Sequence, residues 1–187
     1  MGLVELIDTD IDVDRLRQDV FSLLMTHDLF GVSQVSLTSI DGRNDWSSST
    51  GKSMDLTLKE RYYSTINEAL KGTYIEECIH RYSKYYRWRL LKLKPRETYS
   101  VHFDNNDATK RNVRLHIPVQ TNDDSFLVFY SAMPQSGQSC VIQHEHLKLG
   151  CSYAVDTSNF HTAVNYGQFD RYHIVGVRYE NINNRPQ

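Results

Sequence analysis

Residues Tyr99–Pro118 read YSVHFDNNDATKRNVRLHIP, and the parity of four side chains in this stretch decides how the chain is read. In extended backbone successive side chains point to opposite faces, so His102 and Asp104 share a face, as do Arg114 and His116 on a following strand. Two such faces turned toward each other form one polar cavity. An imidazole and a carboxylate on one face supply two members of a 2-His-1-carboxylate facial triad, the set that holds iron(II) and leaves coordination positions open. The third ligand must come from elsewhere in the chain.

An isolated HxD pair is more often a surface turn with an incidental histidine. This pair is accompanied: DTSNFHTAVN, Asp156–Asn165, brings His161, and ten residues beyond it Arg171 opens the apolar run RYHIVGV.

HFD followed by RLHIP, the D-x-S-x-x-H-x-x-x-N string at Asp156, Ser158, His161 and Asn165, and an arginine ten residues past the distal histidine together resemble the aspartyl/asparaginyl β-hydroxylase family of iron(II)- and 2-oxoglutarate-dependent oxygenases, which includes small phage and bacterial members with a complete HxD. The resemblance spans Arg87 to Val177. It implies His102, Asp104 and His161 as iron ligands and Arg171 as the clamp on the distal carboxylate of 2-oxoglutarate. It implies Arg114 and His116 as contacts near the metal-bound end of that co-substrate. Some members lack the carboxylate ligand, which this chain has as Asp104. The animal enzymes place a serine at the position of Leu91, and Tyr99 is the polar group expected to stand in for it. The implied chemistry uses Fe(II), 2-oxoglutarate and O2 to hydroxylate a C–H of an amino-acid side chain in a protein, a peptide or a free amino acid.

Composition agrees with an ordinary globular enzyme. The chain has 187 residues, 40% of them hydrophobic and 24% charged, so one domain with a sizeable core is expected. A net charge of −2 gives no general attraction to nucleic acid or an anionic membrane. Cys78, Cys140 and Cys151 lack CxxC spacing and cannot all pair, which suits a reducing compartment. The N-terminus, MGLVELIDTDID, has no basic and apolar leader pattern, and position 6 is Leu rather than the Ser or Thr of a myristoylation signal. A cytoplasmic protein is expected, acting in the host cytoplasm if phage-encoded.

Taken in order, Asp12–Asp28 places Val13, Leu16, Val20, Leu23 and Leu24 at helical spacing. VSQVSLTSI after Gly31 reads as a short strand, and Asp41–Ser53 as a mobile surface loop in which Trp46 serves either as a lid or substrate contact or as the loop's own anchor. Gly51–Ser53, GKS, resembles part of a phosphate-binding loop, but position 46 lacks the required glycine. Leu56–Lys71, with Leu58, Tyr62, Ile66 and Leu70 in register and Gly72 as a stop, predicts a second helix, and Ile75–Arg81 a third. From Tyr85 the period becomes two, with Arg87, Arg89 and Leu91 opposed to Tyr86, Trp88 and Leu90. Strands follow at Thr98–Asp104, Val113–Gln120, Ser125–Tyr130, Cys140–Lys148, Ser152–Val155, Phe160–Asn165 and Arg171–Tyr179, with a frayed tail after them. The fold expected is α+β, mainly β: a helical part over residues 1–84 packed on a double-stranded β-helix, or jelly roll, over residues 85–180.

Two rival readings stand beside this one. His144 and His146 form a second same-face pair suggestive of a cupin-type metal site, possible without turnover, but no carboxylate completes it as well as Asp104 completes the first set. The basic-aromatic run Arg81, Lys84, Arg87, Arg89, Lys92 and Lys94, interleaved with Tyr82, Tyr85, Tyr86 and Trp88, suits single-stranded nucleic acid or, more simply, a solvated basic face. Nucleic-acid-demethylating oxygenases carry two arginines six residues apart, whereas Arg171 and Arg178 are seven apart and face opposite sides of a strand.

Overall fold

The computed structural model describes residues 2–104, 109–135 and 140–181. In chain order the elements are β1 (Val4–Asp8), α1 (Val13–Thr26), β2 (Gln34–Ser36), β3 (Thr38–Ser39), β4 (Thr65–Ile66), α2 (Tyr74–Arg81), β5 (Tyr86–Leu93), β6 (Glu97–Thr98), β7 (Lys110–Gln120), β8 (Ser125–Tyr130), β9 (Val141–Glu145), β10 (Ser152–Asp156), β11 (Phe160–Asn165) and β12 (Arg171–Asn181). The strands form a six-stranded sheet in the order β1-β10-β7-β12-β5-β2 and a four-stranded sheet in the order β6-β11-β8-β9, with a small β3-β4 pair beside them. All named pairings are antiparallel. This is the double-stranded β-helix expected from the strand spacing taken together with the family resemblance.

Helix α1 starts where Asp12 caps it, its carboxylate accepting the Arg15 backbone N–H at 3.0 Å. Its buried stripe is Leu16, Val20, Leu23 and Leu24. Burying each such side chain contributes roughly 1.5–3 kcal/mol. The stripe packs with Ile75, Cys78 and Ile79 of α2 on one face of the large sheet, against Trp88, Leu90, Leu115, Ile117 and Ile174. The opposite parity of these strands faces the small sheet, where Leu93, Val155, Leu127, Phe129 and Ala163 form a second, smaller core. The site lies between the sheets beside that core.

Three sequence expectations need correction. Residues 56–71 do not form a helix: short 3-10 turns occupy Glu60–Tyr62 and Glu68–Leu70 and flank strand β4. The backbone is committed to tertiary partners instead. The Tyr63 carbonyl accepts the Thr38 hydroxyl and the Arg87 N–H, the Asn67 N–H reaches the Leu37 carbonyl, and the Asn67 amide donates to the Ser36 carbonyl. Of the predicted stripe only Leu70 is buried, while the buried Tyr63 and Asn67 are out of its register. The Asp41–Ser53 loop is exposed over most of its length but not throughout, Gly42, Ser49 and Thr50 being buried. Trp46 packs on the main core with its ring 4.7 Å from His27, and the Ser36 N–H donates to the Trp46 carbonyl, so the residue anchors its own loop rather than reaching substrate. Third, Thr98–Asp104 is a strand only at β6, followed by a lone bridge between His102 and His161.

β1 had no sequence forecast; it pairs with β10 and extends the large sheet. The other strands fall close to their expected spans, and Ser125–Tyr130 and Phe160–Asn165 coincide with β8 and β11. All three cysteines are free. No helix is long and apolar enough to cross a membrane. The tail expected to fray lies outside the described residues.

Candidate metal centre and co-substrate cavity

His102, Asp104 and His161 converge, with one ligand atom from each lying within 4.8 Å of the others. Backbone pairing achieves this. The His102 N–H donates to the His161 carbonyl at 3.0 Å and the His161 N–H returns a bond at 2.8 Å, so the two imidazoles sit side by side with centroids 4.5 Å apart. Each Nδ1 is directed at a backbone carbonyl, Ser100 at 2.8 Å for His102 and Asn159 at 2.9 Å for His161. A carbonyl only accepts, so each Nδ1 carries the proton and each Nε2 offers its lone pair to the site. This is how metal-ligating histidines are held in one tautomer.

Asp104 is held in the same way. Its Oδ2 accepts Arg114 Nε at 2.9 Å, and its Oδ1 lies 3.7 Å from His102 Nε2. Burial alone would raise the pKa of this carboxyl. The Arg114 guanidinium, followed by His161 and His102, outweighs burial and holds it well below the usual carboxylate range. One oxygen is thus fixed by the arginine and the other remains for a cation.

The ligands open into a cavity of about 360 Å³. Its large-sheet wall carries Arg114 and His116 from β7, Arg171 and Val175 from β12, and Arg87, Arg89 and Leu91 from β5. Leu127 and Ala163 face them from the small sheet, and Tyr99 lies on the segment leading to His102. Arg171 is only 3% exposed, and its nearest polar partner is His173 Nδ1 at 3.2 Å. Burial pushes its pKa down to about 10, with partial opposition from Tyr99. Three lining residues each bury an atom without a partner among the described residues: Arg89 Nε, Arg114 Nη1 and His116 Nδ1.

This donor set fits iron(II) with a chelating keto acid. Two neutral imidazoles and a carboxylate are the ligand types of a facial triad. The orphaned atoms of Arg114 and His116 await an acceptor beside it, and Arg171 is a planar fork in the same cavity without a carboxylate partner among the described residues. The residues expected at the site, His102, Asp104, His161, Arg171, Arg114, His116 and Tyr99, are therefore gathered in one place. Tyr99 is also engaged structurally, its hydroxyl donating to the Lys92 carbonyl at 3.2 Å.

Sequence reasoning missed Arg87, Arg89 and His173. Arg87, Arg89 and Lys92 are buried, at 5%, 7% and 9% exposure, rather than forming a solvated face. Val175 pairs with Arg89 and Val177 with Tyr86, so Arg87 and Trp88 together oppose Gly176 in a β-bulge, with Arg87 at φ 50°. The bulge re-aims the chain. Tyr86 consequently lines an adjoining chamber beside Arg87 instead of sharing the face of Trp88. The parity of Arg87, Arg89 and Leu91 was a usable signal for the first two, as was that of Arg171 and His173 for the third.

The rival histidines are not assembled into a site. His146 Nδ1 lies 3.0 Å from the Ser125 carbonyl, and both His144 and His146 contact the Phe126 ring. Among the described residues they belong to no metal-binding group.

No protein-family model matches the chain, and no curated protein matches it by sequence. Solved structures do match by shape. HygX from Streptomyces hygroscopicus, solved with nickel and 2-oxoglutarate bound, superposes with a TM-score of 0.57 at 9% identity over 96% of this chain and 83% of its own. A prolyl hydroxylase from Trichoplax adhaerens, in complex with a hypoxia inducible factor peptide fragment, gives 0.54 at 14% identity over 98% and 86%. AviO1 from Streptomyces viridochromogenes gives 0.53 at 11% identity over 98% and 91%. The double-stranded β-helix is shared with these three proteins. At these identities the likeness concerns the fold, and the activity has to be argued from the site.

Proposed function

We propose that this protein is an iron(II)- and 2-oxoglutarate-dependent dioxygenase that hydroxylates a C–H of an amino-acid side chain in a protein, peptide or free amino acid. The observation that carries the reading is the convergence of His102, Asp104 and His161 in a cavity whose wall presents Arg171 without a carboxylate partner among the described residues. Iron(II) held by these three ligands, with 2-oxoglutarate and dioxygen, supplies the oxidising chemistry and releases succinate and carbon dioxide.

The chain's own residues do the rest. Ser100 and Asn159 carbonyls fix the imidazole tautomers. Arg114 occupies one oxygen of Asp104 and retains Nη1 for an acceptor near the metal-bound end of the keto acid. Arg171 suits the distal carboxylate because its planar fork gives two parallel charge-assisted hydrogen bonds. His116, kept neutral by burial and then by Arg171 and Arg114, serves as a hydrogen-bonding group without adding charge. The walls formed by Leu91, Leu127, Val155, Ala163 and Val175 limit water around the reacting centre.

The finer resemblance, to aspartyl/asparaginyl β-hydroxylases, rests on the HFD, RLHIP and DTSNFHTAVN residues. A peptide substrate is supported by the peptide held in the Trichoplax enzyme. Nucleic acid is less suited, because Arg87, Arg89 and Lys92 turn inward and Arg178 stacks on Tyr85, 4.9 Å from the ring centroid, instead of joining Arg171.

Anaerobic reconstitution with iron(II) and 2-oxoglutarate, followed by mass-spectrometric screening of candidate substrates, tests the activity. His102→Ala, Asp104→Ala and His161→Ala should each abolish stoichiometric iron binding or turnover, while the paired His144→Ala and His146→Ala substitutions leave both intact. Arg171→Leu should raise the 2-oxoglutarate requirement about tenfold or more with little change in iron affinity. Retained iron and turnover in the first set would remove the assignment.

A further inference from the structure

Four arginines, Arg87, Arg89, Arg114 and Arg171, line the cavity against one carboxylate, Asp104. Arg114 is paired with Asp104, and Arg87 with Glu60 from the adjoining chamber. Arg171 is reserved for the co-substrate in the reading above. Arg89 is left over. It is 7% exposed, its Nε is buried without a partner among the described residues, and its Nη1 makes a 3.3 Å contact with the Gln34 side-chain oxygen. A guanidinium does not shed its proton in a protein, and a buried charge is costly until an anion meets it.

Position separates this cation from the co-substrate clamp. Arg89 pairs across β12 with Val175, and Val175 pairs in turn with His116. Arg171 lies four residues away along β12, roughly 13 Å at strand rise. Arg89 therefore stands toward the Asp104–Arg114 end of the cavity. From that end a chamber of about 650 Å³ leads outward, sharing Arg87, Asp104 and Arg114, with apolar and aromatic wall from Leu56, Phe103, Tyr86 and Tyr179 and a charged part from Lys59, Glu60, Arg61 and Lys110. Leu56 is 84% exposed at its rim.

We infer that Arg89, supported by Arg87, is the binding site for an anionic group of the prime substrate, a carboxylate or a phosphate attached to an apolar or aromatic portion that occupies the outer chamber. This rests on the oxygenase reading and narrows its substrate class. The strands place the substrate anion and the distal carboxylate of the co-substrate at different depths, so the two anions do not compete.

The test uses protein loaded anaerobically with iron(II) and 2-oxoglutarate at low ionic strength, so that the Arg171 end is filled. Hippurate, its neutral amide hippuramide, and phenyl phosphate are titrated calorimetrically. At least one of the two anions should bind saturably and at least about tenfold more tightly than hippuramide, as loss of a charge-assisted pair requires. The tighter anion names the substrate group. Arg89→Gln should weaken that anion about tenfold or more while 2-oxoglutarate and iron affinities hold, and Lys94→Gln, an exposed change, should leave every affinity unaltered. Arg89→Lys keeps the charge without the fork and should give an intermediate loss, which covers a Gln variant that fails to fold. The inference is overturned if hippuramide binds as well as both anions, if neither anion binds, or if the Arg89 variants bind as the parent does. Failure to take up iron(II) and 2-oxoglutarate would instead sink the oxygenase reading, and the Arg89 comparison would still be read on metal-free protein.

Discussion

His116 and His173 meet edge to face with ring centroids 5.7 Å apart, in a region where the nearest charges are guanidinium groups. Burial lowers both pKa values well below 6.5, and Arg171 lowers both further, with Arg114 also acting on His116 and His116 itself on His173. The folded protein thus keeps both rings neutral at a pH where the unfolded chain takes up protons. Their contribution to stability is complete above about pH 6.5 and is lost as pH falls below it. Urea unfolding of the metal-free protein is therefore expected to give a lower stability at pH 5.5 than at pH 7.5. His161, also lowered by burial with Asp104 opposing, works in the same sense. A protein carrying both His116→Gln and His173→Gln should show a shallower slope. A slope identical to the parent's would mean that neither ring titrates differently on unfolding.

At the scale of elements, the bulge in β5 depends on the residue opposite it. A Cβ at Gly176 would stand 2.9 Å from three atoms of the Trp88 ring, and Trp88 is fully enclosed in the main core. Gly176→Ala should destabilise the fold by about 1–3 kcal/mol in urea unfolding, the range for overpacking. Gly31→Ala, with nothing within 4 Å of its Cβ, should stay within about 0.5 kcal/mol. Equal effects would detach the close approach at Gly176 from the bulge. The same elements explain what the sequence disclosed. Strands β8, β11 and β12 were legible because alternation and bounding turn residues act locally, and His102, Asp104 and His161 because their spacing survives any details of packing. Residues 56–71 misled because their apolar spacing carries no record of Ser36, Leu37 and Thr38, whose backbone and side-chain groups claim Tyr63 and Asn67. Arg87 and Arg89 looked like surface charge because a basic residue in a strand reads the same whether it meets solvent or a cavity; only the sheet-on-sheet arrangement tells them apart. β1 escaped notice because its five residues, three of them exposed, offer little alternation.

Across the whole molecule, the site joins two sheets of unequal tenacity. β7 and β12 are long, lie at the middle of the six-stranded sheet and bury Val113, Leu115, Ile117, Ile174 and Val177 almost completely. The Tyr99–Asp104 segment that brings two of the three ligands follows only the two-residue strand β6. It is tied to the small sheet and its turns by a backbone bond from Tyr99 to Ala163, a reciprocal pair between His102 and His161, and one from Asp104 to Thr157. Side-chain contacts link it to the large sheet: the Asp104–Arg114 pair, the Asn112 amide donating to the Asp104 carbonyl, and the Tyr99 hydroxyl donating to the Lys92 carbonyl. Local opening of this segment should be easier than global unfolding, since opening free energies scale with buried contacts. Amide hydrogen exchange of the metal-free protein is thus expected to be slowest at residues 113–117 and 174–177, and markedly faster at His102 and Asp104. An opening that withdraws His102 and Asp104 must also release iron(II). With iron(II) alone at about 100 times its dissociation constant, that opening should cost about 2.7 kcal/mol more. Protection at His102 and Asp104 should then rise about a hundredfold, and so should that of residues 113–117, which open only with the whole fold and therefore also release the metal. Unchanged exchange at His102 and Asp104 on loading would show that these two side chains do not hold the metal.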